Sequence, residues 1–398
     1  MSKVKQSKTL TIVFVIWAYM AAVIPVNFEI TQLYQIQQSL SVSSFYIKKM
    51  VTLFWLMFAC GQGTTAIMLN RFSPKTITRF ALWGYMLSFT LMALANNPWS
   101  YGLARVGQGF FCGSMILMGR YSLSSRFKHD ENLFLSQFVN IGIGLTIANS
   151  IAPMLGSYIG AFVHWRLIYI VVALFGALMF MNMERVFVFQ AFKPADTLNI
   201  VKNTIFNESS VIVNAVICGL SRSMVVNFNV HMLFYLLHHH QWQSVDYGYL
   251  LFGLSMASIL CRWYLKLLKV WLGYDRLVLL IIGMAWLLSF LAYEVFFNHL
   301  GLQIGLMGLS IYVGFSLLGT LYSSRAQFRI PHGANPMMFS LMGIAQMLGM
   351  SFGTYMAISL NSNSLGDLIY MSWAFFALLL VTNRVNVYDT SQQKNLLN

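Results

Sequence analysis

Long runs of apolar residues, separated by short polar gaps, extend along almost the whole of this chain. Reading runs of roughly 18 or more mostly apolar residues gives twelve segments. They lie near 10–31, 48–69, 76–95, 99–121, 133–159, 165–184, 209–236, 247–268, 276–297, 302–324, 336–360 and 366–384. Each is long enough for a helix that crosses a bilayer and too long for the strands of an outer-membrane barrel. The pattern predicts an all-α integral membrane protein with twelve transmembrane helices.

The composition agrees with the apolar pattern and excludes several classes of protein. Of 398 residues, 58% are apolar and only 9% are charged, whereas soluble domains have about 25% charged residues. So few charges exclude a soluble enzyme, a disordered chain and a disulfide-stapled secreted domain. The net charge of +14 does not indicate a nucleic-acid partner, because the cations lie in gaps between apolar runs rather than on a solvated face. The expected surroundings are a lipid bilayer.

The distribution of Lys and Arg predicts the orientation in the membrane. Eighteen of these cations lie in alternate gaps or at the segment ends beside them, whereas the other side holds Lys48, Lys49 and Arg166. Both termini are therefore predicted to be cytoplasmic, in the inner (cytoplasmic) membrane. The longest gap on the cytoplasmic side, 185–208, divides the chain into two six-helix bundles, 1–184 and 209–398. Two such bundles with a site between them are typical of secondary transporters.

Several short segments resemble one transporter family. Span four contains R-V-G-Q-G at 105–109, span five contains A-P-M-L-G at 152–156, and H-W-R follows at 164–166. In the second half, 308–312 and 343–346 show further similarity. These segments resemble the major facilitator superfamily, specifically its twelve-helix drug:proton antiporter branch, which includes bicyclomycin-resistance-like and MdfA-like exporters. The resemblance covers essentially the whole chain and implies the major facilitator fold, proton coupling and multidrug efflux.

The resemblance also implies a set of gating residues, although two motifs depart from the family's pattern. After span two, relatives carry an Asp that helps to latch the cytoplasmic gate, and here that position is Asn70, followed by Arg71. Relatives also carry an Asp in span one where this chain has Asn27. These departures weaken the expectation of the standard drug-antiport mechanism. The gating candidates are Asn70, Arg71, Arg120, Pro153 and Gly156.

Glu29 is the one carboxylate that the apolar pattern places inside the bundle. The other acidic residues fall in predicted loops or at helix ends. A charge within a membrane helix costs about 2.5–3.5 kcal/mol, so it usually faces polar surroundings or has a partner. Arg105 lies at a similar depth in span four. Three interpretations stay open: Glu29 exchanges a proton under the influence of Arg105, the two form a static pair that closes the outer mouth, or Glu29 lies at the lip of the mouth in water. Asn27 cannot titrate and is a candidate for hydrogen bonding to the substrate.

Span seven is the most polar of the twelve segments. Arg222 falls near its middle and shares a helix face with Asn229, seven residues later, while Asn227 and His231 share another. A guanidinium can bind the carboxylate of an anionic substrate, or it can bond to backbone carbonyls of a neighbouring helix. His231 is either a proton carrier or a satisfied interior histidine. Tyr312 is a candidate for an aromatic pocket.

The predicted function is secondary active transport by alternating access. The leading interpretation is proton-coupled export of small amphipathic organic compounds, including drugs. The alternative is transport of an organic anion, such as a polycarboxylate metabolite or siderophore, anchored at Arg222, because the charges placed in the middle and outer bundle are mostly positive. The sequence contains no P-loop, HExxH or G-x-S-x-G motif. An enzyme, a cofactor and a metal site are therefore not expected, and the protein is expected to act as a monomer.

Overall fold

The computed structural model describes residues 2–69, 71–126, 147–148, 150–186, 209–296, 298–328, 336–359 and 365–396. Within these ranges every regular element is a helix, and no strand occurs. This confirms the predicted all-α fold. The part of predicted span five from 133 to 146, and the predicted linker from 187 onward, lie outside the described residues. The division into two bundles at 185–208 therefore stays a prediction.

The first half contains six membrane helices. They are α1 (Ser2–Ile30), α2 (Ser44–Met68), α3 (Pro74–Leu94), α4 (Pro98–Arg126), α5 (Ser150–Phe162) and α6 (Trp165–Val186). A short helix, Leu33–Ser39, follows α1. Two helix starts have ordinary local causes: the Ser43 hydroxyl accepts from the Tyr46 N–H before α2, and Ser73 does the same for Thr76 before α3. These side chains satisfy N–H groups that the first helical turn leaves free.

The second half contains the remaining six. They are α7 (Ser209–His239), α8 (Ser244–Arg262), α9 (Asp275–Val295), α10 (Leu300–Tyr322), α11 (Pro336–Ser359) and α12 (Leu365–Leu396). Gly273 separates α8 from α9 because its backbone, at φ 74° and ψ 172°, interrupts the helical run Ser244–Phe290. Two π-helical turns occur, Leu291–Val295 at the end of α9 and Ser310–Phe315 within α10. Such turns are often found at functional sites.

Length and apolar composition support the assignment of these helices to a membrane. Among the described residues, eight helices are long and apolar enough to cross one, and Val15–Ile30, Ser150–Phe162 and Leu365–Leu380 are shorter apolar helices. One further helix, α4, belongs to neither group. It is 29 residues long, but its interior carries the polar residues Arg105, Gln108 and Arg120. Twelve helices can thus be assigned to the membrane within the described ranges, in agreement with the predicted number.

Glycines allow two helix pairs to approach at backbone distance. Between α2 and α4, a Cβ added at Gly61 would lie 2.0 Å from the Phe110 carbonyl oxygen. Between α7 and α11, a Cβ at Gly349 would lie 2.0 Å from the carbonyl oxygen of Gly219. Small residues let membrane helices pack in this way. Gly61 therefore has a packing role between α2 and α4, and α7 and α11 form an equally tight contact, which we call the α7–α11 seam.

The two halves pack against each other along α2 and α11 and at the outer face, by which we mean the face opposite the N-terminus of α1. Ser351 in α11 donates to the Thr52 carbonyl of α2 at 3.1 Å. At the outer ends of α5 and α8, Ser157 contacts Gly248 so closely that a Cβ on the glycine would lie 2.0 Å from its hydroxyl oxygen. The halves are therefore in close contact at this face.

Candidate functional site

A buried ion pair connects α1 to α4 in the first half. Glu29 lies in the last turn of α1 and Arg105 in the second turn of α4, and the sequence predicted that their depths match. Arg105 Nη1 lies 2.6 Å from Glu29 Oε2, and Tyr101 donates its hydroxyl to Glu29 Oε1 at 2.8 Å. Glu29 is 3% exposed and Arg105 1%. The structure therefore brings these two residues together as predicted.

Further contacts surround the guanidinium of Arg105. Its Nη1 also donates to Gln108 Oε1 at 2.7 Å, and its central carbon, Cζ, lies 5.0 Å from the centre of the Phe54 ring. Its Nε has no hydrogen-bond partner among the described residues. Arg105 thus joins α1 to α4 through its ion pair with Glu29 and also bonds within α4 to Gln108.

The A-P-M-L-G segment of α5 packs directly against the end of α1 that carries Glu29. A Cβ at Gly156 would lie 2.8 Å from the backbone of Phe28, so only glycine permits this approach. Gln32 donates to the Gly156 carbonyl at 3.0 Å. Pro153 is buried one turn earlier in α5. Gly156 therefore lies beside the residue that precedes Glu29, whereas the Pro153 carbonyl lies against α8, 3.1 Å from the position of a Cβ on Gly248.

The other gating candidates lie elsewhere. Arg120 is half-buried and donates from Nε to the Tyr19 hydroxyl at 2.7 Å. Its Nη1 lies 2.6 Å from the position of a Cβ on Gly343, so it also reaches α11 of the second half. Arg71 is exposed in the turn after α2, and Asn70 lies outside the described residues. Arg120 is thus the gating candidate among these that contacts both halves.

Arg222 lies in α7 with its polar head incompletely satisfied. The residue is half-buried, and its Nε is buried without a hydrogen-bond partner among the described residues. The described carboxylates also include none within ion-pair distance of it. A buried donor without a partner is costly. The Nε–H of Arg222 is therefore a donor that no described residue uses.

Arg262, which the sequence did not single out for binding, lies close to Arg222. It extends from α8 and donates from Nη2 to the Ser316 hydroxyl in α10. Ser221, next to Arg222, touches α10 one turn further along, 3.3 Å from the position of a Cβ on Gly319. The two guanidinium groups are close enough to repel each other. Arg262 thus contacts α10 directly, whereas the contact of α7 with α10 at this level is made by Ser221, the residue before Arg222.

Asn229 and Tyr312 are joined to each other. The Tyr312 hydroxyl, in the π-helical turn of α10, donates to Asn229 Oδ1 at 2.5 Å, and Tyr247 of α8 donates to the Asn229 carbonyl at 2.5 Å. Asn229 therefore holds α7 against α8 and α10. Because it lies on the same face of α7 as Arg222, this contact orients the face that presents the arginine.

The remaining predicted site residues contact groups other than Arg222. Asn227 donates to Met371 Sδ of α12 at 3.8 Å and is fully buried, so it faces α12 rather than the two arginines. His231 is 1% exposed and stacks on Tyr235, with ring centres 6.3 Å apart. Asn27 donates to the Val23 carbonyl of its own helix at 3.1 Å. These contacts do not place any of the three side chains beside Arg222.

Lys48 is a buried cation that links the two halves at the outer face. It is 5% exposed, and its Nζ donates to the Ala357 carbonyl at 2.9 Å. Ala357 lies in the last turn of α11, where carbonyls lack partners within the helix and a cation is favourable. Nζ also lies 5.5 Å from the centre of the Phe234 ring of α7. Lys48 thus caps a helix of the other half. The sequence indicated only that it lies on the outer side.

Lys48→Met is expected to loosen the outer face, because α11 loses its cross-bundle cap. The reporter is Ser157→Cys, which the contact with Gly248 buries at 2% exposure, in a Cys60→Ser background. The rate of labelling by a membrane-impermeant maleimide should rise several-fold. Lys49→Met is the matched control, since Lys49 is exposed. Equal labelling rates in the two variants would show that Lys48 does not hold the outer face closed.

Comparisons with known proteins agree with this architecture. The bicyclomycin resistance protein homolog of Haemophilus influenzae (strain ATCC 51907 / DSM 11121 / KW20 / Rd) is 25% identical over 172 residues, which are 42% of this chain and 42% of that protein. The chain therefore matches less than half the length of this relative.

Two solved structures share the fold. The human organic anion transporter MFSD10 (TETRAN) has a TM-score of 0.68 at 14% identity, covering 94% of this chain and 99% of that one. A point mutant of the nucleoside transporter NupG has a TM-score of 0.65 at 13% identity, covering 94% and 98%. The family model described as Major Facilitator Superfamily matches residues 9–354. This chain belongs to the major facilitator superfamily.

Proposed function

We propose that this protein transports small organic anions by alternating access and binds them at Arg222 and Arg262. The observation that carries the proposal is the buried Nε of Arg222, which lacks a hydrogen-bond partner among the described residues, with the guanidinium of Arg262 nearby. Guanidinium groups bind carboxylates through two parallel hydrogen bonds. An anion between the arginines would satisfy the donor of Arg222 and relieve the repulsion between the two groups.

The charges of the described residues support an anionic cargo. The carboxylate inside the first half, Glu29, is already engaged by Arg105 and Tyr101. A site for lipophilic cations would instead need a carboxylate available to the substrate. Membership of the superfamily supports transport itself, and MFSD10, which shares the fold, is described as an organic anion transporter. The fold alone does not specify the substrate.

A second candidate function is proton-coupled export of small amphipathic compounds, including drugs. The buried Glu29 favours it, because a carboxylate in a membrane protein is costly unless it has a partner or a functional role. The match to a bicyclomycin resistance protein homolog supports the same candidate. In this case Glu29 would accept and release a proton as the pair with Arg105 breaks and forms.

Transport by purified protein in liposomes under an imposed pH gradient separates the two candidates. With citrate and a lipophilic cation as cargoes, we expect gradient-dependent citrate flux, and Arg222→Gln should lower it at least tenfold, because the anion loses a charged hydrogen-bond donor. Arg276→Gln is the matched control, since Arg276 is exposed in the same half. Size-exclusion chromatography verifies folding.

A different result would redirect the assignment. Cation flux without flux of citrate or any other carboxylate, together with an unimpaired Arg222→Gln variant, would discard the anion site and favour the drug:proton candidate. Glu29→Gln run in parallel tests the coupling. Loss of the dependence on the pH gradient, with exchange of substrate retained, would assign the proton to Glu29.

A further inference from the structure

Gln62 is a buried amide that the described part of the protein does not satisfy. It lies in α2 and is 0% exposed, yet neither its oxygen nor its nitrogen has a hydrogen-bond partner among the described residues. Buried polar side chains in proteins nearly always have such partners. Its neighbour one turn later is satisfied, since Thr65 donates to Ser114 at 2.9 Å. Gln62 is therefore the polar side chain of this stretch of α2 that can still bind a ligand.

The polar ends of the Gln62 and Arg120 side chains both lie against the backbone of α11 at Gly343. A Cβ at Gly343 would lie 2.2 Å from Gln62 Oε1 and 2.6 Å from Arg120 Nη1. The two polar heads, one from α2 and one from α4, thus occupy the space that a side chain at 343 would fill. An amide and a guanidinium of the first half are thereby placed side by side against a helix of the second half.

The chemistry of this pair specifies what it can bind. A guanidinium only donates, so Arg120 suits a carboxylate. An amide both donates and accepts, so a carboxylate alone would leave Gln62 Oε1 without a partner. A hydroxyl beside the carboxylate would donate to Oε1 and complete the set. The pair therefore matches a carboxylate that carries a neighbouring hydroxyl group.

We propose that Gln62 and Arg120 are the substrate contacts of the first half, and that the substrate is a hydroxylated polycarboxylate. This inference rests on the proposed function, in which Arg222 and Arg262 of the second half bind an anion. One carboxylate would lie at that arginine pair, and another, with its adjacent hydroxyl, at Gln62 and Arg120. A substrate held by both halves is the arrangement that alternating access requires.

Citrate and tricarballylate provide a direct test, because they share a carbon skeleton and three carboxylates and differ by one hydroxyl. Uptake into liposomes is measured for each compound across a range of concentrations. The wild type should prefer citrate roughly tenfold, the effect of one hydrogen bond in a buried site. In Gln62→Met the preference should disappear because citrate weakens, while tricarballylate keeps its wild-type affinity. A merely structural role of Gln62 would weaken both compounds equally.

Two further variants make the result decisive. Gln303→Met replaces another buried glutamine, in α10, and should leave the preference unchanged. Gln62→Asn keeps an amide but shortens the side chain by one methylene, and it should also lose the preference for citrate. It replaces Gln62→Met in the test if that variant fails to fold. A wild type that does not prefer citrate, or a preference that survives in these Gln62 variants, would overturn the inference.

The test also distinguishes the inference from the proposed function. Transport of a monocarboxylate such as lactate that depends on Arg222, without transport of either tricarboxylate, would leave the anion site standing and overturn the inference about substrate class. Absence of Arg222-dependent flux for every carboxylate would overturn both.

Discussion

Arg105→Met is expected to destabilise the protein by about 3–5 kcal/mol, the cost of removing one partner from a buried ion pair. The substitution would leave the Glu29 carboxylate at 3% exposure without its cationic partner, although the Tyr101 hydroxyl would still donate to it at 2.8 Å. Gln108 would also lose the donor that now binds its oxygen. The measurement is the midpoint of thermal unfolding of the purified protein, by fluorescence or by loss of the monodisperse species.

The double variant Glu29→Gln/Arg105→Met is the control that identifies the cause. It removes the uncompensated charge, so it should recover most of the stability lost in Arg105→Met. Arg276→Met, at an exposed arginine, should unfold like the wild type. If the double variant proves as unstable as Arg105→Met, the loss comes from packing around Phe54 and Tyr101, and the ion pair is not what stabilises this part of the bundle.

Gly349→Ala should disrupt the α7–α11 seam and strongly lower the thermal stability of the protein. The added methyl carbon would lie 2.0 Å from the carbonyl oxygen of Gly219, and neither backbone can move away without separating the helices. Overpacking commonly costs about 1–3 kcal/mol, and a clash with backbone lies at or above the upper end. The expected result is a large fall in thermal stability and in the yield of monodisperse protein.

Gly305→Ala in α10 is the matched control, because nothing lies within 4 Å of a Cβ at that position. Alanine has a higher helix propensity than glycine by up to about 1 kcal/mol, so this variant should be as stable as the wild type or more stable. Equal stability of Gly349→Ala and Gly305→Ala would mean that the seam is looser than its geometry indicates. The seam also matters for binding, since α7 carries Arg222 and α11 carries Gly343.

The apolar pattern predicted the membrane helices correctly, because the bilayer requires each span to satisfy its own backbone and to be apolar over a defined length. The same reasoning placed Glu29 and Arg105 at one depth, since position along a helix follows from counting residues at a fixed rise. The short motifs of spans four and five were sufficient for the superfamily, which the family comparison confirms. Composition alone excluded a soluble protein.

What the sequence could not determine is the rotation of each helix about its axis and which helix lies beside it. Asn229 was predicted to bind substrate together with Arg222, but the structure joins it to Tyr312 and Tyr247. Asn227 was predicted as a second contact, and it faces α12. Each residue lies at the expected position along its helix; the direction in which its side chain points depends on neighbours that only the packing supplies.

Lys48, Gln62 and Arg262 show the same limit. Lys48 was expected only as an outer cation, yet it caps α11 of the other half. No motif marks Gln62 or Arg262, because a single polar residue in an apolar helix gives the same pattern whether it faces a partner or a substrate. The sequence by itself determined the helices, the position of each residue along them and the family. Only the tertiary structure decided which polar groups meet, because contacts between helices distant in sequence are set by close packing at surfaces that no local pattern encodes.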